Sequence, residues 1–171
     1  DVVDTIREEL TFRDPEIVKT AGERIQSIRV QGNGAPIVSL HLRRGDYLPA
    51  PDEHPVLTEQ YLRDAMNKFH GDCHFVLFAD TAESHDWFRQ TLPDREVTHI
   101  EGEGVLAEFA LMARCDHNII ANSSFSWWAA WLNQSPGRQV IAPDPGKWLG
   151  PALADWSTKD ILPMDWERVA W

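Results

Sequence analysis

The stretch IVSLHLRRGDYL, residues 37–48, contains the two features from which the fold and a candidate site follow. Its first six residues form a short apolar run rich in β-branched side chains, which predicts a strand over 37–42. The run stops abruptly at two adjacent arginines, Arg43 and Arg44, although the chain as a whole carries a formal net charge of −11. The position of these positive charges at a strand end indicates that they serve a local purpose.

Strand and helix patterns alternate through the rest of the chain. Short apolar runs of the kind buried in parallel sheets predict strands over 37–42, 74–79, 96–100, 117–121 and 139–143. Apolar side chains at helical spacing predict helices over 58–69, 82–92, 105–115 and 124–134. Five strands that alternate with four helices predict an α/β fold, a Rossmann-like parallel sheet with helices on both faces.

Turn residues divide the 171-residue chain into three parts. Residues 1–36 are predicted to be a helical lead-in segment, with helices over 3–10 and 15–29 before the break QGNGAP. Residues 37–143 are predicted to form the Rossmann-like domain. Residues 144–171 have no clear period, and we expect this tail to pack on the domain through its tryptophans, Trp148, Trp156, Trp166 and Trp171.

Composition excludes several classes of protein and partner. The acidic balance counts against a nucleic-acid partner, whereas a nucleotide needs only a local positive pocket. No run approaches the ~20 apolar residues of a membrane span, and the charged start DVVDTIREEL lacks a signal peptide's apolar core. These features predict a bacterial-type cytoplasmic protein, with membrane association open if an N-terminal segment is missing. Cys73 and Cys115 are predicted to be buried reduced thiols, with a disulfide possible but not needed, and no spacing typical of a zinc site appears.

Polar residues follow each predicted strand, and in a parallel sheet all of these positions meet at one ligand-binding edge. They are Arg43–Asp46, Asp80 with Thr81, the segment EGEG at 101–104, Asn122–Ser124, and Asp144 with Lys147. The segment ANSSFSWWAAWL predicts a helix capped by Asn122 or Ser123, with its first backbone N–H groups available to an anion. Two guanidinium groups facing such a helix start are typical of a pyrophosphate site.

Each of these features also has a simpler interpretation. The arginines and Asp46 could form a surface ion-pair network, RGD could be an adhesion motif, and NSS could only cap a helix or accept a glycan. His41 could be a hydrogen-bonded core histidine, and the tryptophans of the 124–134 helix are expected in the core, Trp128 included, rather than as a sugar-stacking platform. The joint occurrence of these residues at one edge favours a nucleotide site. The chain has no P-loop, dinucleotide fingerprint, nucleophile elbow or Asp-x-Asp motif, so a diphosphate-bound metal is not indicated.

Three segments carry a family resemblance. HLRRGDY at 41–47, LMARCDHNIIANSSFSWWAAWLN at 111–133 and VIAPDPGKW at 140–148 resemble the α-1,2-fucosyltransferase family, glycosyltransferase family eleven, over roughly 37–166. The resemblance implies the donor-binding half of a GT-B type enzyme that transfers fucose from GDP-fucose to a galactoside hydroxyl, with inversion and without an obligatory metal or other cofactor. Residues 1–36 lack the family's GGLGNQ-like motif, so an N-terminal domain that binds the acceptor glycan is expected to be missing.

The resemblance also implies roles for individual residues. Arg43 would contact the donor β-phosphate, and Arg44 would support that pocket. Asp46 is separately a candidate for the general base that the acceptor hydroxyl requires, an assignment that does not come from the resemblance. The resemblance places His41 and Asp80 at the guanine and ribose, and Ser124, Phe125 and Ser126 at the diphosphate. Asn122 and Ser123, at the start of the same helix, are also predicted to bind the substrate.

Alternatives remain open for the base and for the function. Neighbouring arginines favour ionised Asp46 and make it a poor base, so Asp46 could instead hold an arginine in position. Glu101, Glu103 or the missing half could supply the base. The functional alternatives are a non-catalytic module that binds a guanine nucleotide or glycan, and a transferase for a different nucleotide sugar.

Overall fold

A six-stranded parallel sheet forms the centre of the protein, which we describe over residues 2–171 of a computed structural model. Its strands are β1 (Ile37–Leu42), β2 (His74–Ala79), β3 (Thr98–Ile100), β4 (His117–Ile119), β5 (Val140–Pro143) and β6 (Glu167–Val169). Their order is β3-β2-β1-β4-β5-β6, the order of doubly wound dinucleotide-binding folds. This arrangement confirms the predicted Rossmann-like class. It adds β6, which the sequence pattern did not predict.

Six α-helices surround the sheet in the described chain. They are α1 (Val2–Glu9), α2 (Pro15–Gln31), α3 (Glu59–Met66), α4 (Ala82–Thr91), α5 (Val105–Met112) and α6 (Ser124–Leu132). Side chains at the starts of several helices make the expected caps. Asp14, which precedes Pro15, accepts from the Glu16 amide, and Thr58 accepts from the Tyr61 amide. The two helices predicted in the lead-in segment are therefore present, while residue 1 lies outside the described residues.

Alternating side chains of β1 face two separate cores, which places helices on both sides of the sheet. Val38 and Leu40 pack with α3 and α4, as part of a cluster that also holds Tyr61, Leu62, Phe88 and Leu92. Ile37 packs on the opposite face with Ile25 and Ile28 of α2 and with Leu111 and Met112 of α5. Because both faces are covered, β1 is buried at all six positions, as expected for an interior strand of a parallel sheet.

A network of buried amide side chains ties α5, β4 and α6 together below the ligand edge. The Asn118 amide donates to Ser39 Oγ at 2.7 Å and to the Met112 carbonyl at 3.0 Å. The Asn133 amide donates to Asn118 Oδ1 at 2.7 Å and to the Cys115 carbonyl at 2.8 Å. These bonds satisfy polar groups that would otherwise be buried without partners.

The structure contradicts two expectations about tryptophans, one in the tail and one in α6. Trp148 and Trp166 are buried against β5 and α6, but Trp156 is exposed, so the expectation that it packs on the domain was wrong. Trp128 was also wrongly assigned to the core, since 39% of its surface is exposed. Cys73 and Cys115 are both free, and Cys115 is buried as predicted, but Cys73 is only partly buried, so its predicted burial was wrong.

Candidate functional site

A cleft of about 630 Å³ opens beside the C-terminal ends of β1 and β2. The turn after β2, the loop between β3 and α5, and the first turn of α6 complete its wall. The residues that line it are His41, Arg43, Phe78, Ala79, Asp80, Thr81, Ala82, His85, Glu101, Gly102, Gly104, Val105, Glu108 and Phe125. The cleft lies near the point where the chain changes direction between β1 and β4, the usual ligand position in this type of sheet.

Arg43 presents a fixed positive charge to this cleft. Its Nε donates to Asp46 Oδ1 at 2.7 Å and its Nη2 donates to Asp46 Oδ2 at 2.6 Å. This bidentate pair holds the guanidinium plane and lowers the pKa of Asp46, chiefly through the hydrogen bonds from Arg43. The geometry favours the second role considered for Asp46, that of holding an arginine, over that of a general base.

Asp80 fastens the turn that carries the arginines to the end of β2. Its carboxylate accepts from the Gly45 amide at 2.8 Å, from the Arg44 amide at 3.2 Å and from Ser84 Oγ at 2.9 Å. Arg43 Nε lies 3.5 Å from Asp80 Oδ2. Asp80 borders the cleft, but protein donors already occupy its oxygens. Its predicted contact with guanine therefore stays a prediction, and its visible role is to position the turn.

Gly45 is required by the close approach of this turn to β2. A Cβ atom at residue 45 would lie 2.6 Å from Thr81 Cγ2 and 3.0 Å from Asp80 Oδ2. No side chain fits at that distance without movement of one of the two segments. The glycine in the RRGD sequence thus permits the contact between the arginine turn and Asp80.

The Arg44 side chain packs on α4 and does not line the cleft. Its guanidinium carbon lies 3.8 Å from the centre of the Trp87 ring, a close cation–π contact with α4. Arg44 is absent from the residues that line the cleft. The predicted support of the phosphate pocket would then be indirect, with Trp87 and the Arg44 backbone amide anchoring the turn.

His41 and Phe125 form the inner wall of the cleft. Their ring centres are 5.5 Å apart, and His41 is only 3% exposed. Burial lowers the pKa of His41 to about 4, so the imidazole is neutral at pH 7. Its Nδ1 is buried and has no hydrogen-bond partner within the described chain.

Some of the predicted residues at the start of α6 are buried and hold the backbone in place, whereas others face the cleft or solvent. Asn122 donates to the carbonyls of Pro55 and Trp148, and Tyr47 Oη donates to the Asn122 carbonyl at 2.9 Å. Ser126 Oγ accepts from the Ala121 amide at 3.2 Å and is fully buried. These two residues hold the loop between β4 and α6.

Phe125 alone of the predicted α6 residues lines the cleft. Ser123 is the N-cap residue of α6, one of the two positions predicted for the cap, but its side chain makes no capping hydrogen bond. Ser124 is exposed at the first position of the helix. Backbone N–H groups in this first turn have no intrahelical acceptor, so the helix start can contribute donors to an anion near Arg43.

Acidic residues of the β3–α5 loop differ in their partners. Glu101 accepts from Arg89 Nη2 at 2.5 Å and borders the cleft, whereas Glu103 accepts from Arg24 Nε at 2.7 Å on the side of α2. Glu108 also lines the cleft, and burial raises the pKa of its carboxyl. Sequence reasoning missed Glu108 and His85, because both lie inside predicted helices rather than at strand ends.

Comparison with known proteins finds relatives along most of the chain. A family model described as "Glycosyl transferase family 11" matches residues 2–147, so the match includes α1 and α2. The chain is 35% identical to the Escherichia coli "O-antigen biosynthesis glycosyltransferase WbnK" over 141 residues, which are 77% of the chain and 43% of that protein. It is 33% identical to the Escherichia coli "Alpha-1,2-colitosyltransferase", over 77% of the chain and 47% of that protein.

A primate relative and one solved structure also match. The chain is 32% identical to "Galactoside alpha-(1,2)-fucosyltransferase 1" of Saimiri sciureus, over 74% of the chain and 37% of that protein. A structure of POFUT1 in complex with GDP matches with 17% identity and a TM-score of 0.48, over 74% of this chain and 46% of that one.

The chain spans less than half the length of each of these curated relatives. Among the helices of residues 2–171, none has the length and apolar character to cross a membrane. The match of the family model to residues 2–147, which covers most of the chain, shows that it belongs to glycosyl transferase family 11.

Proposed function

We propose that this chain is the donor-binding part of an α-1,2-fucosyltransferase that transfers fucose from GDP-fucose to a galactoside hydroxyl. Family membership and the names of the curated relatives support the transferase class. The observation that carries the donor assignment is Arg43, held in the cleft wall by two hydrogen bonds from its guanidinium to Asp46. A guanidinium with fixed orientation suits the oxygens of a diphosphate.

In the proposed reaction, the bond between the sugar and the diphosphate weakens while negative charge grows on the diphosphate. Arg43 and the first-turn amides of α6 would stabilise that charge, so this chain needs no metal for the transfer itself. Loss of one such preorganised contact would cost on the order of 3 kcal/mol of transition-state stabilisation. His41 and Phe125 would hold the nucleoside end, because their adjacent rings line the cleft.

Inversion requires an acceptor hydroxyl to attack from the side opposite the leaving diphosphate and to lose its proton. Asp46 is poorly suited to take that proton, because Arg43 lowers its pKa. The chain spans under half of its relatives, and we propose that the acceptor site, together with the base, is formed with the part of such a protein that these residues do not include.

A second candidate reaction is transfer of a related deoxy sugar. It is favoured by the 33% identity to a protein named alpha-1,2-colitosyltransferase. The two reactions share the diphosphate site proposed here and differ in contacts to the sugar. A module that binds a guanine nucleotide or a glycan without transfer is another alternative, and detectable fucosyl transfer would eliminate it.

The decisive experiment is calorimetric titration of the chain with GDP and, as a control, with UDP, both in EDTA. We expect GDP to bind with a stoichiometry of one and UDP to bind much more weakly. Equal binding of UDP would point to a different nucleotide-sugar transferase. Absence of binding by either nucleotide would contradict the proposal that this chain is a donor-binding unit.

A further inference from the structure

Two histidines meet beside the cleft, where α4 contacts β3. His85 of α4 and His99 of β3 face each other with their Nδ1 atoms 2.9 Å apart and their ring centres 5.1 Å apart. The Glu101 carboxylate, two residues beyond His99, joins them. One ligand atom from each of the three residues lies within 4.8 Å of the other two.

We propose that His85, His99 and Glu101 form a zinc-binding site. Two imidazole nitrogens and one carboxylate oxygen are a ligand set that Zn²⁺ accepts in tetrahedral geometry with a fourth position left open. Imidazole ligands favour Zn²⁺ over Mg²⁺ or Ca²⁺, which prefer sites built from oxygen. The ligands come from α4, from β3 and from the loop after β3, so a bound ion would join three segments of the fold.

The histidines are prepared for this role by their surroundings. His85 is buried, and the Phe88 ring packs edge-on against His99 with 6.1 Å between ring centres, which restricts rotation of the imidazole. The contact between the two Nδ1 atoms is a hydrogen bond, so one of these nitrogens carries a proton that a bound Zn²⁺ would replace.

Arg89 is the group that would compete with a metal ion. Its Nη2 donates to Glu101 at 2.5 Å, and its Nη1 donates to Asp86 at 2.8 Å. The Arg89 side chain is 45% exposed, so it can release Glu101 into the metal site while it keeps Asp86 as a partner. We therefore expect the Arg89→Ala variant to bind Zn²⁺ more tightly than the unaltered chain.

The site adjoins the proposed donor cleft without including Arg43. His85 and Glu101 both contribute to the cleft wall. A zinc ion would fix Glu101 at the start of a loop whose Gly102 and Gly104 have φ angles of 76° and 88°. This inference does not depend on the proposed reaction, because its test measures metal binding alone.

The test is titration of the purified, EDTA-stripped chain with Zn²⁺ in competition with a chromophoric chelator. We expect one equivalent to bind, and the thermal midpoint to rise with Zn²⁺. His99→Ala and Glu101→Gln should each lower the affinity by more than the ~10- to 100-fold that loss of an outer-shell partner costs. His70→Ala is the matched control, because His70 is exposed in the segment before β2, at the opposite edge of the sheet.

Two results would overturn the proposal. The first is no specific equivalent of Zn²⁺ bound by the unaltered chain, and the second is unchanged affinity in His99→Ala. Co²⁺ substitution adds a readout that surface binding would not give, since a tetrahedral site with imidazole ligands produces strong visible absorption that His99→Ala should abolish. GDP titration of the same samples tests the donor-site proposal separately. A chain that binds GDP but not Zn²⁺ would overturn only the zinc proposal, and a chain that binds Zn²⁺ but not GDP would overturn only the donor-site proposal.

Discussion

Replacement of Arg43 by alanine tests the donor site most directly, because the structure separates its effect on binding from its effect on stability. The guanidinium makes two hydrogen bonds to Asp46 and lies 3.5 Å from Asp80. Asp46 is 57% exposed and can be solvated when its partner is lost. Asp80 keeps its bonds from the Arg44 and Gly45 amides and from Ser84, so the turn stays attached to β2.

These contacts set the expected magnitudes. An ion pair this exposed contributes about 0–1 kcal/mol, so the free energy of unfolding should fall by no more than about 1 kcal/mol. Hydrogen bonds from Arg43 to a charged diphosphate are worth about 1.5–3 kcal/mol, which corresponds to a roughly 10- to 150-fold loss of GDP affinity. Binding should therefore fall sharply in a protein that remains folded.

The assay is GDP titration by calorimetry, paired with urea denaturation of the same preparation. Arg63→Ala is the matched control, because Arg63 also holds two carboxylates, Glu59 and Asp94, but lies on α3 outside the cleft. Arg63→Ala should bind GDP as the unaltered chain does. If folded Arg43→Ala kept full GDP affinity, the assignment of Arg43 to the diphosphate would be refuted.

Three further predictions concern the framework that supports the site. Gly45→Ala would place a carbon 2.6 Å from a Thr81 methyl group, so urea denaturation should show that the free energy of unfolding falls by about 1–3 kcal/mol. In the control Gly22→Ala, no atom lies within 4 Å of the added carbon, and the free energy of unfolding should rise by about 0.5–1 kcal/mol. Equal effects of the two substitutions would contradict the close-approach argument. Asn133→Ala removes a fully buried amide that makes two donor bonds and should cost about 1–3 kcal/mol in the same assay, a loss that a solvated amide would not show. Burial lowers the pKa of His41 to about 4, so as the pH falls from 6.5 the unfolded chain takes up a proton at this residue before the folded chain does. His41 alone should therefore contribute roughly 3 kcal/mol to the decline in stability between pH 6.5 and pH 4. Urea denaturation of His41→Gln across this range should show a smaller decline, and an unchanged decline would exclude His41 as a source.

Local patterns were sufficient for most of the fold, and their failures have identifiable causes. The strands β1, β2 and β5 are short, predominantly apolar segments, so the local sequence pattern is enough to predict them. The strand β6 is only three residues long, begins with two charged residues and exists because its backbone pairs with β5. Helix α6 reads SFSWWAAWL and is apolar on almost every side, so periodicity could not show that Trp128 faces outward.

In the site, contacts between residues close in sequence could be predicted, whereas contacts between distant segments could not. Arg43 and Asp46 are three positions apart, and their pairing follows from the local turn after β1. Asp80 has the composition of a ligand-binding residue, but its oxygens are taken by the amides of a turn 35 and 36 positions earlier, which no spacing rule anticipates. His85 and His99 are likewise 14 positions apart and meet only because α4 folds back on β3. A search for metal-binding spacing finds ligands that share one local element. A site whose ligands come from a helix, a strand and a loop becomes visible only when the packing of those elements is known.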